Sequence, residues 1–402
     1  MPRSHKTKKE FDTLCAESTF EVRTSRSHQL PIYPTAAFCF DSLEEGIEIF
    51  SNQPGHHVYS RYGNPTVEAV AKKIALLESF DLNKEAYGLL TSSGMAAIHL
   101  ALDSILTAGD AILTQPILYG GTTELLNKIF KKNGINIFTA DLNNVNSLEK
   151  LIAENKSIKA IFIETPVNPT LQCINLEAIC KFAKKKKLQT IIDNTFATPY
   201  ITQPLKFDVD IVIHSTTKYL HGHGASTGGA VVTLNKNLFH DKLWPQYKLV
   251  GYNASPFEAW LVDLGMKTLP LRMEQQCSNA YKLALFFQKH KEILKVNYPG
   301  LKSHPSHNIA KEQMKLFGAM LSIEIKGNLN RVKKVLNALQ LCTMAPTLGE
   351  TNTLILHPAT MSHLKVAKDV KLAQGITDNL VRISVGLENI NDLINDWKQA
   401  LS

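Results

Sequence analysis

The sequence predicts an α/β protein: a mostly parallel central sheet covered by helices on both faces, followed by a smaller C-terminal α+β domain. Three observations carry this. Seven short apolar runs recur between residues 86 and 234, most of them separated by one helix-sized segment. A long helical stretch follows near 256–295. Beyond Pro299 the pattern changes to strand-like runs interleaved with helices. At 402 residues the chain is long enough for a large core and a second domain.

The elements follow in order. Residues 1–60 are irregular and rich in Pro, Ser and Thr, yet they hold aromatics, as in "LPIYPTAAFCF". That composition predicts an arm packed on another surface, such as a neighbouring subunit, rather than disorder. Residues 61–255 form the first regular domain. It opens with the helical pattern "NPTVEAVAKKIALLESF", for which Asn64 or Thr66 is the cap. The strand runs are "AYGLLTS" (86–92), "AILTQ" (111–115), "INIFTA" (135–140), "KAIFIET" (159–165), "LQTIID" (188–193), "DIVIHS" (210–215) and "GGAVVTL" (228–234). Residues 256–402 form the second domain, with strands expected at "GAMLSIEIKG" (318–327), "LILHP" (354–358) and "LVRISVG" (380–386). There are no internal repeats.

Composition excludes several classes. No apolar run reaches membrane-spanning length, and no apolar signal segment follows the basic start "MPRSHKTKKE", so a cytoplasmic protein is expected. The net charge of +8 raises nucleic-acid binding, but the lysines are scattered over the chain. The densest run, "AKKKKLQ" (183–189), fits a solvated helix end, and an anionic cofactor or substrate explains local positive charge equally well. The six cysteines form no CxxC pair, so neither a zinc ribbon nor a disulfide framework is indicated. Cys173 and Cys180 are expected to be buried thiols.

Ligands of open α/β sheets bind beyond the carboxyl ends of the strands, so the residues that follow each apolar run matter most. After the first run comes "TSSGMAAIHLAL", a Ser/Gly turn into a helix at Gly94 and Met95, whose free N–H groups suit a phosphate. Tyr119 follows the second run, Asn168 the fourth, Asp193 closes the fifth, and Ser215, Thr217 and Lys218 follow the sixth. Singly, these are caps and turn formers. Together they put a phosphate cradle, a carboxylate and a lysine along one sheet edge. There is neither a GxGxxG after the first strand nor a GxxxxGK[ST], which disfavours dinucleotide and P-loop readings. A zinc site on His214, His221 and His223 lacks a nearby Cys or acidic partner. The combination suits pyridoxal 5′-phosphate. Its aldehyde takes a lysine as a Schiff base, its ring nitrogen a carboxylate, its face an aromatic ring, and its phosphate hydroxyls and N–H groups.

At these residues the chain resembles the Cys/Met-metabolism (trans-sulfuration) family of pyridoxal-phosphate enzymes. The matching stretches are "VYSRYGNPT" (58–66), "TSSGMAAI" (91–98), "LYGGT" (118–122), "ETPVNPT" (164–170), "IIDNTFATPY" (191–200), "HSTTKYLHGH" (214–223), "SPFEAWLVDLGMKTLPLRM" (255–273) and "LVRISVGLE" (380–388). They occur in family order over nearly the whole chain. The resemblance implies fold type I, the aspartate-aminotransferase-like fold. It implies Lys218 as Schiff-base lysine and proton shuttle, Asp193 at the ring nitrogen, and Tyr119 stacked on the ring. Gly94, Met95, Ser215 and Thr217 would hold the phosphate, joined by Tyr59 and Arg61 from a neighbouring subunit. It implies a homotetramer built of dimers that share active sites. Arg382, Asn168 and Thr347 would bind the substrate, Arg382 as a fork on its carboxylate.

Departures bear on the reaction. Where many members carry "SLGG-x-ES", this chain has "TLGETNT" (347–353), with Thr347 for the serine and Asn352 for the glutamate. That glutamate accompanies cystathionine-type substrates. Gly121 stands where methionine γ-lyases usually carry cysteine, whereas "LILHPATMSH" (354–363) resembles the methionine γ-lyase and sulfhydrylase branches. The favoured expectation is α,γ-elimination of methionine or a related sulfur amino acid. The alternatives are γ-replacement on an O-acylhomoserine, as in cystathionine γ-synthase or a homoserine sulfhydrylase, and cystathionine β- or γ-lyase activity.

Overall fold

The computed structural model describes residues 9–17, 27–51, 57–364 and 366–402. The basic start lies mostly outside the described residues. All seven expected strands form: β1 (Tyr87–Thr91), β2 (Ala111–Thr114), β3 (Asn136–Thr139), β4 (Ile158–Glu164), β5 (Gln189–Asp193), β6 (Ile211–His214) and β7 (Gly229–Thr233). They make one sheet in the order β1-β7-β6-β5-β4-β2-β3. β2 to β6 are parallel, and β7 runs antiparallel between β1 and β6. The β6–β7 connection, residues 215–228, holds no helix, so the chain returns without the crossover that a parallel pairing needs.

The inner strands are largely apolar because both faces are covered, whereas the edge strand β3 is exposed or half-buried along its length. Ile161, Ile163, Ile192, Val212 and Val232 enter one core, shared with the helix Pro65–Glu78. Phe162, Ile191, Ile211, Ile213 and Val231 enter the other, shared with the helix Gly94–Asp103. Of the two cap candidates, Asn64 is the cap: its side-chain oxygen accepts from Thr66 N at 3.0 Å. The Thr66 hydroxyl instead donates to the Pro31 carbonyl at 2.8 Å and ties down the N-terminal segment. The lysine run ends the helix Leu176–Lys186. Lys184 pairs with Asp208, and Lys185 and Lys186 with Glu149, at an exposed helix end whose dipole favours cations.

The second sheet contains β8 (Ile293–Asn297), β9 (Met320–Ile325), β10 (Thr343–Met344), β11 (Leu354–Leu356) and β12 (Leu380–Ser384), in the order β10-β11-β12-β9-β8. Three expectations need correction. The helical stretch near 256–295 is two helices, Pro256–Met266 and Leu269–Lys289, broken just before Pro270, and its end is strand β8. Strand β10 was not anticipated, since two exposed residues carry no periodicity. The first 60 residues are not wholly irregular: they include the helices Phe11–Ala16 and Leu43–Phe50. The second of these leaves Leu43, Ile47 and Phe50 at 75%, 59% and 64% exposure, an apolar stripe facing outward. Among the described residues no helix is long and apolar enough to cross a membrane. Cys173 and Cys180 are buried free thiols, and burial pushes each up to about 12.

Candidate active site

Strands β4, β5 and β6 end side by side, with Glu164 opposite Asp193 and Asp193 opposite Ile213. Lys218 lies in the turn that follows β6. Its N–H donates to the Ser215 carbonyl at 3.2 Å, and its carbonyl accepts from Gly222 N at 2.7 Å. Its Nζ donates to Thr347 Oγ1 at 3.0 Å. Burial, helped by the Arg382 cation and opposed by Glu350, lowers Lys218 to about 8. Arg382, on β12, donates from Nη2 to the Thr347 carbonyl at 2.6 Å, while its buried Nε has no partner. Burial lowers it to about 10. The part of the chain that builds the second sheet therefore carries Thr347 and Arg382 onto Lys218.

The turn is clamped from behind by Arg272, which was not singled out in the sequence. Its guanidinium donates to the Tyr219 carbonyl at 2.8 Å, the Gly265 carbonyl at 2.8 Å and Thr268 Oγ1 at 3.1 Å. Gly222 has φ +76°, and a Cβ there would overlap that guanidinium, so only glycine fits. The histidines frame this region without converging. His223 Nδ1 lies 2.7 Å from the His221 carbonyl, whereas His214 Nε2 lies 2.5 Å from Glu78 Oε1 at the end of the helix Pro65–Glu78. Among the described residues no three His, Cys, Asp or Glu side chains are placed to hold a metal.

The residues fit pyridoxal 5′-phosphate. Ser93 caps the helix Gly94–Asp103 by accepting from Ala96 N at 3.1 Å, which leaves the first N–H groups, at Gly94 and Met95, for an outside acceptor. A Cβ on Gly94 would come within 2.7 Å of Ser215 Cβ, so the glycine is what brings the helix end and the serine together. No acidic residue occupies that first turn. Asp193 accepts from Thr195 N at 3.0 Å, and burial raises its pKa. Asn168 Oδ1 is buried without a partner, as is Arg382 Nε. An N–H cradle beside a serine, a buried carboxyl, a lysine of lowered basicity and two unmet polar atoms match a phosphate, a ring nitrogen, an aldehyde and an amino-acid substrate.

The other expected residues divide. Tyr119, 46% exposed, precedes the helix Gly120–Leu125 at the same edge. A Cβ on Gly121 would lie 2.5 Å from Tyr119 Cε1 and 3.1 Å from Met95 Sδ, so a cysteine there would displace the ring. The Thr217 hydroxyl is engaged with Gly228, donating to its carbonyl at 3.2 Å and accepting from its N–H at 3.0 Å. Tyr59 and Arg61 lie in a separate group. Arg61 donates to the Lys248 carbonyl and sits 4.8 Å from the Tyr62 ring and 5.7 Å from that of Tyr59. Asn352 turns to Thr343, with Nδ2 3.4 Å from its hydroxyl. Glu164 was overlooked. It ends an apolar strand just as Asp193 does, and the same positional rule identifies it.

Fold and site define an enzyme that works on amino acids with pyridoxal phosphate. The chain belongs to the Cys/Met metabolism PLP-dependent enzyme family, whose pattern matches residues 12–402. It is 44% identical over 374 residues to an L-methionine gamma-lyase of Fusobacterium nucleatum subsp. polymorphum, covering 92% of this chain and 93% of that one. It is 41% identical over 379 residues to a cystathionine beta-lyase of Lactococcus lactis subsp. cremoris, covering 94% and 95%. Among solved structures, the cystathionine gamma synthase of Xanthomonas oryzae pv. oryzae in complex with aminoacrylate and cysteine superposes with TM-score 0.91, at 35% identity, over 98% of both chains.

Proposed function

We propose that this enzyme catalyses α,γ-elimination of methionine or a related sulfur amino acid. Methionine and water would give methanethiol, 2-oxobutanoate and ammonia. The observation that carries the reading is Lys218: it is lowered to about 8 and lies 3.0 Å from Thr347, beside Arg382. A lysine must shed its proton before it can take one from carbon. At a value near 8, a substantial share of Lys218 is neutral at slightly alkaline pH.

Lys218 would anchor the cofactor, and Asp193 would pair with its ring nitrogen. Gly94, Met95 and Ser215 would hold its phosphate, with Thr217 behind them and Tyr59 and Arg61 arriving from a second copy of the chain. Tyr119 would cover the ring. When bound, the cofactor supplies an electron sink for the charge left when a proton leaves the substrate. Arg382, through its free Nε, would hold the substrate carboxylate together with Asn168 and Thr347. That fixes the Cα–H bond toward Lys218. Lys218 would move protons at Cα and then at Cβ, and the Tyr119 hydroxyl would donate a proton to the departing sulfur. Burial of Lys218 and Arg382 keeps water from both groups and strengthens their electrostatic action.

Arg61, held at the Lys248 carbonyl beside Tyr59 and Tyr62, and the outward apolar stripe on Leu43–Phe50 support assembly through active-site-sharing dimers into a homotetramer. We place the enzyme in the cytoplasm. A γ-replacement or cystathionine-cleaving reaction uses the same residues. Asn352, directed at Thr343, puts no carboxylate at that position for a distal amino group, which favours methionine. The deciding experiment is an assay of 2-oxobutanoate from methionine, homocysteine, cystathionine and O-acylhomoserines, with and without sulfide. Release from methionine without sulfide is expected. Turnover of O-acylhomoserine to homocysteine only when sulfide is present would overturn elimination in favour of replacement.

A further inference from the structure

Glu164 is a buried carboxyl for which the chemistry above has no use. Its two oxygens are both engaged. Oε2 accepts from Tyr119 N at 2.6 Å, and Oε1 accepts from Asn168 N at 3.2 Å. Its own backbone is locked by Gln115, which donates to the Glu164 carbonyl at 2.7 Å and accepts from its N–H at 3.1 Å. One carboxyl thus joins the loop after β2 to the loop after β4. Those loops carry the aromatic ring proposed over the cofactor and the amide proposed at the substrate. The side chains of Glu164 and Asp193 stand on the same face of the sheet, directly opposite each other in the β4–β5 register.

We propose that Glu164 is a positioning residue that fixes Tyr119 and Asn168 as one unit, and that it gives up a proton when a cation arrives at Asp193. The physical reason is charge balance. The charged neighbour acting on Glu164 is Asp193; the groups that meet it from the β2 and β4 loops are the neutral amides of Gln115, Tyr119 and Asn168. Burial and the Asp193 carboxylate push Glu164 up to about 8, against the pull of the two amide donors. Without a cation at the site the buried Glu164–Asp193 pair therefore favours a proton on Glu164, and one of its oxygens becomes a poorer acceptor. A protonated ring nitrogen on Asp193 would neutralise the repulsion. Glu164 would then release its proton to solvent and hold both N–H groups as a full carboxylate. Loading the cofactor would tighten the two loops that receive the substrate.

This inference rests on the pyridoxal-phosphate reading of Asp193 and Lys218, and the test separates the two. Pyridoxal phosphate is titrated into the cofactor-free full chain at neutral pH, by calorimetry in two buffers of different ionisation enthalpy. Growth of the visible absorbance of the lysine-bound cofactor reports loading. The wild type should release about one proton more than Glu164→Gln. Infrared spectra of the cofactor-free wild type should show a protonated carboxyl band that disappears on loading and is absent in Glu164→Gln. In the loaded Glu164→Gln enzyme, KM for methionine should rise roughly ten- to a hundredfold, the loss expected for one charge-assisted hydrogen bond, with a smaller change in kcat. Glu164→Asp should retain the proton release. Absence of colour in the wild type would overturn the cofactor reading and this inference with it. Normal colour with equal proton counts in wild type and Glu164→Gln would overturn this inference alone. If Glu164→Gln fails to fold, the infrared band in the wild type decides by itself: its persistence after loading refutes the proposal.

Discussion

Gly222→Ala tests how the turn around Lys218 is held. Two costs follow from the structure. Gly222 has φ +76°, where a residue with a Cβ carries roughly 1–2 kcal/mol of strain. The new methyl group would also overlap the guanidinium of Arg272, which is 3% exposed and has no room to retreat. Displacing it breaks at least the bond to the Tyr219 carbonyl, and a hydrogen bond from a charged donor contributes about 1.5–3 kcal/mol. The sum is roughly 2.5–5 kcal/mol. The assay is urea unfolding of the holoenzyme, paired with the cofactor dissociation constant measured by visible absorbance. Because Gly222 N also holds the Lys218 carbonyl at 2.7 Å, cofactor affinity should fall along with stability. A double-mutant cycle with Arg272→Met isolates the clash: in that background Gly222→Ala should cost only the backbone strain of about 1–2 kcal/mol. A cost below about 0.5 kcal/mol in the wild type, or an equal cost in both backgrounds, would refute the clamp.

Three further outcomes are expected. Lys218→Ala should abolish the visible absorbance and the activity while leaving the far-ultraviolet circular dichroism intact. Lys218 is lowered to about 8 in the fold from an ordinary 10.5, so between those values the unfolded chain binds more protons. Stability of the cofactor-free protein should therefore rise with pH across that window, by roughly 3 kcal/mol, and thermal melts of Lys218→Met should lack this rise. Lys73 and Asp263 form a buried ion pair at 2.8 Å between the helices Pro65–Glu78 and Pro256–Met266, so Asp263→Ala should cost about 3–5 kcal/mol in urea unfolding, with much of it restored by Lys73→Met in the same chain.

What could be seen in the sequence was what obeys a short period or a fixed place on a strand. The inner strands of the seven-stranded sheet, β2 and β4 to β7, are buried on both faces, so each appears as a largely apolar run, and Asp193 and Lys218 follow from where such runs stop. β8 escaped notice because it is an edge strand whose partly exposed residues, Ile293–Asn297, continue a helical pattern without a glycine or proline between them. Arg272 was hidden for a different reason. Its three partners come from Gly265 and Thr268 on its own side and Tyr219 far upstream, a convergence that only tertiary packing creates. The Thr66 hydroxyl passed for a cap because its true acceptor, the Pro31 carbonyl, sits in a segment with no periodicity. Glu164 was legible and missed: it stands at the end of an apolar run, and its buried position opposite Asp193 follows from the sheet order alone.

Lys218 owes its lowered basicity to burial and to the Arg382 cation, and part of what surrounds it is delivered late by the ribosome. Thr347 and Arg382 are made long after the lysine, and β12 ends only at Ser384. Until that strand docks, the lysine lacks the Arg382 cation that helps to lower it. If Lys218 anchors the cofactor, a chain truncated before β12 would lack Arg382 and hold that lysine as a weaker nucleophile.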